Sequence, residues 1–215
     1  MAYSSKDKEF ETYGVFPLGE HDFVKVEQTK PAEDYPNVVD LGYTVDCDKI
    51  YEEFINMRKP NKDHYYLQMS KKFVIDREKV MKNFEDLGFL AENYGGYDMK
   101  RAGEYTNKIL NDLPVDLFRK HYTLAKPGWL SKFHSDHATF ETHGFRLVVP
   151  VNTDAHIKYK DGDYKLEKGK MYFWNIVKEH AGWNPLEQDR LIIMAQMNSD
   201  KLVNDGKVLD PINVL

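Results

Sequence analysis

The sequence has one cysteine, Cys47, in 215 residues, so an intrachain disulfide is impossible. No apolar run in it approaches the roughly 18 residues that span a bilayer. The first residues, MAYSSKDKEFETYG, lack the apolar core of a signal peptide. These absences exclude a disulfide-stapled scaffold, and we expect a reducing, cytoplasmic setting with no membrane partner.

The sequence also lacks an excess of positive charge. The 30 basic residues are outnumbered by 35 acidic ones, which gives a formal net charge of -5 at pH 7. This balance provides no broad attraction to phosphate backbones, so we expect no nucleic-acid partner.

The composition that remains is that of a folded protein, with 41% hydrophobic and 13% aromatic residues. The length fits one domain, and no repeat or linker divides it, so we expect a single domain over 1–215. Residues 1–45 are turn-rich and predict irregular structure with short strands. The expected organisation is irregular and helical over 1–113, followed by a β-rich core over about 114–200.

Helical periodicity is concentrated in the first half. It predicts three helices, one capped by Asp48, one capped by Asp76 and ending at Gly88, and one running from about Arg101 to Leu113. In the first of these, apolar residues recur at the spacing of one helix face.

After Pro114 the pattern changes to short runs rich in Val, Ile, Tyr and Phe, with turn signals between them. The runs are HYTLAK, FRLVVPV, HIKYK, YKLE, MYFWNI and RLIIMAQM. Many short antiparallel strands in about 85 residues indicate a sandwich or a barrel. We therefore expect an α+β fold in which the N-terminal helices pack on one outer face of the β-structure.

His134 and Asp136 form a candidate metal-binding pair, because residues i and i+2 of an extended segment point to the same face. In a chain with 8 histidines such a pair also arises by chance and needs corroboration. His180, 46 residues later, supplies it, since a turn after the run MYFWNI would bring a third ligand to a barrel mouth. Two histidines and one carboxylate leave coordination positions open, as in non-haem Fe(II) oxygenases.

Arg190 is a fourth candidate, ten residues after His180 at the start of the run RLIIMAQM. A cation among apolar residues costs several kcal/mol if it is buried unpaired. A dicarboxylate held by both arms of the guanidinium would satisfy it. The open alternative is a structural ion pair with Asp189 or Glu187.

Aromatic residues surround these candidates. Alternation along MYFWNI allows only one of Phe173 and Trp174 to face the candidate site, and the other must pack away from it. Trp129 and Trp183 flank the candidate ligands and are candidates for shaping the mouth.

The stretch from Tyr122 to Met194 resembles the aspartyl/asparaginyl β-hydroxylase-like branch of the 2-oxoglutarate oxygenases, which includes bacterial hydroxylases of free proline. Three segments carry the resemblance, in order and spacing: LAKPGWLSKFHSD, FRLVVPVNTD and EKGKMYFWNIVKEHAGWNPLEQDRLIIM. Each segment is loosely defined alone, and the combination is specific.

The resemblance implies a double-stranded β-helix, which is a cupin-like jelly roll, and a hydroxylase that uses Fe(II), the co-substrate 2-oxoglutarate and dioxygen. It implies His134, Asp136 and His180 as iron ligands and Arg190 as the clamp on the distal carboxylate of 2-oxoglutarate. It also implies that Arg146 faces the site and meets a carboxylate of the co-substrate or of the substrate.

Several alternatives stay open. The substrate is a free amino acid, proline-like, or an amino-acid side chain in a protein, and Val148 stands where many relatives have histidine. Arg146 has a structural alternative, an ion pair with a nearby acid such as Glu141. The competing functions are a metal-dependent cupin enzyme that does not use 2-oxoglutarate and a non-catalytic jelly-roll binding module. Cupins usually have His-x-His where this chain has His134-x-Asp136.

Overall fold

The computed structural model describes residues 29–57, 94–98, 103–136, 145–197, 199–203 and 206–212. These ranges contain a short 3-10 turn, two helices and ten strands. Their bounds are Ala32–Asp34 for the turn, Cys47–Met57 (α1) and Glu104–Asn111 (α2) for the helices, and, for the strands, Val38–Thr44 (β1), Tyr94–Asp98 (β2), Leu117–Ala125 (β3), Phe145–Pro150 (β4), Ala155–Tyr159 (β5), Gly162–Leu166 (β6), Lys170–Asn175 (β7), His180–Trp183 (β8), Arg190–Met197 (β9) and Lys207–Val208 (β10).

The strands form two antiparallel sheets. The larger has the order β10-β1-β7-β4-β9-β3-β2 and the smaller the order β6-β5-β8. The segment 130–134 extends the smaller sheet through bridges to β8. From β3 onward the chain therefore passes back and forth between the two sheets, and β9 returns to lie between β3 and β4. This strand order is that of a double-stranded β-helix, the jelly roll of cupins, and it confirms the predicted fold class.

Alternation gives each strand of the larger sheet two different faces. In β9, Leu191 and Ile193 belong to an outer core that also contains apolar residues of α1 and α2. Ile192 and Met194 of the same strand belong to an inner core shared with the smaller sheet. The helices thus cover one outer face, as predicted, and the inner face is left for the interior of the barrel.

Helix α1 confirms the first predicted helix, with Ile50 and Phe54 buried at 0% and 1% exposure. Its predicted cap, Asp48, is wrong. The helix begins two residues earlier than that cap implies, at Cys47, and Asp46 caps it by accepting a hydrogen bond from the Lys49 amide at 3.2 Å.

Helix α2 lies within the third predicted helix, and its start is capped by α1. The Glu53 carboxylate accepts hydrogen bonds from the amides of Tyr105 and Thr106 at 2.8 and 2.9 Å and from the Thr106 hydroxyl at 2.6 Å. A side chain at Gly103, the N-cap position, would overlap the Glu53 carboxyl group. Glycine at the cap therefore makes room for a carboxylate from another helix.

All six predicted strands are confirmed in the described residues, as β3, β4, β5, β6, β7 and β9. The turn predicted after the run MYFWNI lies at 176–179, between β7 and β8, and His180 is the first residue of β8. The predicted helix capped by Asp76 lies outside the described residues, and the single domain over 1–215 stays a prediction. No helix in the described ranges has the length and apolar character that crossing a membrane requires.

Candidate metal centre

His134 and His180 face each other across a narrow antiparallel contact between the segment 130–134 and β8. The His134 amide donates to the His180 carbonyl, and the His180 amide donates to the His134 carbonyl, both at 2.9 Å. The ring centroids are 4.7 Å apart. Reciprocal backbone pairing therefore brings the two imidazoles together.

Asp136 completes the group that the sequence predicted. It lies two residues beyond His134, and its amide donates to the Ile176 carbonyl at 2.9 Å. Its Oδ1 is 3.2 Å from His134 Nε2. The candidate ligand atoms of His134, Asp136 and His180 all lie within 4.8 Å of one another, close enough to hold one ion together.

The two imidazoles are oriented for metal binding by the backbone. His134 Nδ1 is 2.7 Å from the Lys132 carbonyl oxygen, and His180 Nδ1 is 2.8 Å from the Lys178 carbonyl oxygen. Because a carbonyl oxygen only accepts, each Nδ1 must carry a proton. In the neutral rings the Nε2 lone pairs are then left for a cation, the arrangement usual for metal-bound histidine. The donor set therefore fits a divalent transition metal.

Electrostatics keep this donor set suited to a cation. Burial lowers the pKa of His180 to about 4, so its ring is neutral at pH 7. Burial would raise the pKa of Asp136, but the charge of Arg146 and the hydrogen bond from His134 hold it well below its usual range. Burial would lower the pKa of His134, but the hydrogen bond to Asp136 and the charge of Asp136 raise it, so without an ion the His134 Nε2 carries a proton that it donates to Asp136. A bound cation would take the place of that proton between the two side chains.

Arg146 faces the candidate site, and the carboxylate it meets in this structure is that of Asp136. Its Nη2 is 2.9 Å from Asp136 Oδ2, and its Nη1 lies 3.9 Å from Met194 Sδ. The guanidinium carbon is 5.5 Å from the ring centre of Trp174. Contact with a substrate or co-substrate carboxylate stays a prediction, and Glu141 lies outside the described residues.

Arg190 is 3% exposed and belongs to the inner face of β9. Its Nη1 donates to the Trp183 carbonyl at 2.6 Å, and its guanidinium carbon is 5.4 Å from the ring centre of Trp129. The carboxylate of Asp189 forms an ion pair with Lys126 at 2.6 Å. The guanidinium is thus stacked and braced inside the barrel.

The indole of Trp129 lies between the two ends of the candidate site. Strand β8 runs from His180 to Trp183, four residues whose three steps span about 10 Å. Gly182, two residues after His180, faces inward, and a Cβ there would be 2.9 Å from Trp129 Cη2. The absence of a side chain at Gly182 therefore lets the indole cover the space between the histidines and Arg190.

Inward-facing polar residues of β3 and β9 were missed from the sequence. Thr123 of β3 and Gln196 of β9 are 0% and 2% exposed. Within the described residues neither the Thr123 hydroxyl nor either amide atom of Gln196 has a hydrogen-bond partner. The alternation of RLIIMAQM puts Gln196 on the face of Arg190, and that pattern was sufficient to find it.

Asn184, also within the segments that carry the resemblance, braces the loop before Arg190. Its side-chain amide is fully buried and lies 3.0 Å from the carbonyl oxygens of Ala125 and Lys126 and 2.9 Å from that of Gln188. These bonds join the end of β3 to the loop between β8 and β9. Asn184 therefore fixes the position from which Arg190 enters the barrel.

The aromatic run of β7 divides as alternation predicted. Trp174 joins the inner core and Phe173 the outer core. The Trp174 ring meets His180 edge-on at 4.8 Å between centroids. Trp183 instead packs against the Lys158 ammonium, which lies 3.8 Å from its ring centre.

No family model and no curated protein matches the chain. Solved structures similar to it include a cupin domain from Bordetella pertussis Tohama I, with 17% identity over 40% of this chain and 86% of that one and a TM-score of 0.31. A predicted oxalate decarboxylase from Thermotoga maritima has 11% identity over 49% and 80%, with a TM-score of 0.34. The polyketide cyclase RemF from Streptomyces resistomycificus has 9% identity over 49% and 66%, also with a TM-score of 0.34.

Proposed function

We propose that the chain is an Fe(II)- and 2-oxoglutarate-dependent dioxygenase that hydroxylates an unactivated C–H bond of an amino acid, either free or as a side chain in a protein. The observation that carries this proposal is the pair of Nε2 atoms of His134 and His180 beside the Asp136 carboxylate, with a buried arginine, Arg190, farther along the same barrel interior. When bound, Fe(II) with 2-oxoglutarate supplies the activation of dioxygen, with succinate and CO2 as co-products.

In this proposal the protein holds the metal through three side chains with fixed orientations. The backbone carbonyls that accept from the two Nδ1 atoms keep the rings from rotating. Asp136 stays ionised because Arg146 stabilises its charge. The remaining coordination positions are left for small ligands.

Arg190 and Thr123 are the groups proposed to hold the far carboxylate of 2-oxoglutarate. Thr123 is opposite Ile192 in the sheet, and Arg190 is opposite Ala125, so the two donors lie diagonally across the strands, two residue pairs apart, on the same inner face. A guanidinium and a hydroxyl both donate to a carboxylate, and burial strengthens their interaction with it. Strand β8 spans about 10 Å from His180 to Trp183, whose carbonyl accepts from Arg190, and a span of this order suits a short, extended dicarboxylate.

The aromatic lining is proposed to exclude water from the reaction. Trp129 and Trp174 are 2% and 6% exposed and lie beside Arg190 and His180, respectively. A dry site prevents side reactions and strengthens each electrostatic contact inside it.

The test combines metal binding with co-substrate turnover. Calorimetry with Mn2+ is expected to detect one site, and succinate release in air is expected to require both Fe(II) and 2-oxoglutarate. His134→Ala and His180→Ala should abolish Mn2+ binding and succinate release. His156→Ala is the matched control, because His156 packs against Trp183 and is not among the three candidate ligands. Unchanged Mn2+ affinity in both ligand variants would contradict the proposal.

One observation favours a second candidate, a metal-dependent cupin enzyme that does not use 2-oxoglutarate. The Trp183 carbonyl and the Trp129 ring already engage Arg190, so a structural role accounts for part of its burial. Metal binding that depends on the three ligands, together with no affinity for 2-oxoglutarate, would favour this second function.

A further inference from the structure

The side-chain amide of Gln196 is an unused hydrogen-bonding group inside the barrel. The residue is 2% exposed, and within the described residues its Nε2 and Oε1 both lack a hydrogen-bond partner. It follows Ile192 and Met194 on the inner face of β9. Burying an amide with neither atom paired costs free energy, which a bound molecule that pairs with both atoms would recover.

Arg146, the neighbour of Gln196, indicates which functional groups such a molecule has. Gln196 is directly opposite Arg146 in the pairing of β4 with β9, and directly paired side chains start about 5 Å apart. Arg146 binds Asp136 through Nη2, whereas its Nε is buried and has no hydrogen-bond partner in the described part of the chain. Two kinds of N–H donor and one amide oxygen acceptor therefore lie side by side, next to a candidate metal ligand.

We propose that Gln196 is a specificity-determining residue that, with Arg146, binds the substrate by a carboxylate and an adjacent N–H, as carried by a free α-amino or imino acid. The Gln196 Nε2 and Arg146 Nε donate to the carboxylate, and the Gln196 Oε1 accepts from the substrate nitrogen. This inference rests on the proposed function. It selects the free amino acid from the two substrate classes that the function leaves open.

Two other ligands offer part of this chemistry and fit less well. 2-Oxoglutarate presents only acceptors, so it leaves the Gln196 Oε1 unpaired. A peptide group pairs with a side-chain amide, but it is neutral, and the positive charge of Arg146 favours an anionic oxygen.

The variant Gln196→Met separates the effect on binding from the effect on stability. Methionine has a similar length and no amide, so it removes a buried, unpaired polar group. The variant is expected to unfold at a temperature equal to or above that of the wild type, while its affinity for the substrate falls. A glutamine that serves only the fold would behave in the opposite way, with a lower unfolding temperature and unchanged affinity.

The experiment is calorimetric titration of the standard L-amino acids, and of the C-terminal amide of each, into the full chain. It is done with Mn2+ and 2-oxoglutarate present and again in chelator. At least one free amino acid should bind, and its amide should bind roughly tenfold more weakly or worse. Gln196→Met should weaken the amino acid roughly tenfold or more and leave the affinities for Mn2+ and 2-oxoglutarate unchanged. Gln188→Met, at an exposed glutamine, is the matched control and should bind like the wild type.

Three results would overturn the inference: equal binding of the amino acid and its amide, wild-type affinity in Gln196→Met, or no binding by any amino acid in either condition. A lowered unfolding temperature for Gln196→Met would also count against it. If Mn2+ and 2-oxoglutarate fail to bind while an amino acid binds in a Gln196-dependent way, the oxygenase proposal fails and the recognition site stands. Conversely, iron-dependent turnover of 2-oxoglutarate that is indifferent to Gln196 leaves the oxygenase and removes this site.

Discussion

Arg146 and Asp136 form an ion pair inside the barrel, with Nη2 2.9 Å from Oδ2 and side-chain exposures of 15% and 20%. The guanidinium thus occupies one oxygen of a carboxylate whose other oxygen lies beside His134. The charge of Asp136 is balanced by the protein itself, and a bound cation would share that task.

The variant Arg146→Met removes the guanidinium of this ion pair. In chelator its free energy of unfolding should fall by about 3 kcal/mol, because removing one partner of a buried ion pair leaves the charge of Asp136 with only its hydrogen bond from His134 as established compensation. Mn2+ should then stabilise the variant more than it stabilises the wild type. Urea unfolding with and without Mn2+ measures both effects. Lys165→Met is the control, since its ion pair with Asp154 is more exposed and worth at most about 1 kcal/mol. Equal stabilisation of Arg146→Met and wild type by Mn2+ would contradict the prediction.

Arg190→Lys tests the carboxylate clamp. Lysine keeps the positive charge but loses the planar fork and the stacking on Trp129, so the affinity for 2-oxoglutarate should fall roughly tenfold or more. Mn2+ affinity should be unchanged, as measured by calorimetry. Lys126→Met, which removes the partner of Asp189 beside Arg190, should leave both affinities intact. An unaltered 2-oxoglutarate affinity in Arg190→Lys would indicate that Arg190 only braces the Trp183 carbonyl.

Gly182→Ala tests the packing of Trp129. The added Cβ would lie 2.9 Å from Trp129 Cη2, so the indole must shift, at an expected cost of about 1–3 kcal/mol in stability. The affinity for 2-oxoglutarate should fall with it, because the same ring packs on Arg190. The double variant with Trp129→Phe should recover part of the stability in a double-mutant cycle. Additive losses in that cycle would mean that the two positions do not interact.

Glu53→Gln gives a prediction for pH. Burial would raise the pKa of Glu53, but the hydrogen bonds from Thr106 and Tyr105 lower it below its usual value of 4.5. A lowered carboxyl pKa contributes stability that is present above the unfolded pKa and is lost as the pH falls through the folded pKa. Glu53→Gln should therefore cost about 1 kcal/mol at pH 7, and the difference should shrink as the pH falls below 4.5. Glu52→Gln, at an exposed neighbour, should show no such dependence.

Local pattern was sufficient for much of the fold. The alternating runs predicted six strands, because the order of apolar and polar residues within each run is enough to define its buried face. Strand β8 was missed since HAGW has no alternation of its own, and its pairing with β5 and His134 makes it a strand. The capping residue of α1 was misassigned by two positions, from Asp46 to Asp48, because both aspartates are suitable and only the hydrogen bonds distinguish them.

The candidate site, like the fold, was only partly predictable from the sequence. The spacing of His134 and Asp136 in the sequence was sufficient to predict that they lie together. The partner of Arg146 could not be predicted in this way, because it depends on how the chain folds between Asp136 and Arg146. Sequence proximity suggested Glu141 as the acidic partner of Arg146, and Glu141 lies outside the described residues. In the structure the acidic partner of Arg146 is Asp136. The brace formed by Asn184 was also invisible, because its acceptors are backbone carbonyls that only the folded loops bring together.

The two faces of β9 have a consequence for how this protein can change. Ile193 and Ala195 belong to the outer core that contains residues of the helices, so substitutions there are expected to lower the stability of the fold. Met194 and Gln196, their immediate neighbours, face the interior and pack against neither α1 nor α2. If Gln196 recognises the substrate as proposed, substitutions at alternate positions of β9 can alter substrate preference without changing the core that contains the helices, and relatives with different substrates are expected to differ in that every-second-residue pattern.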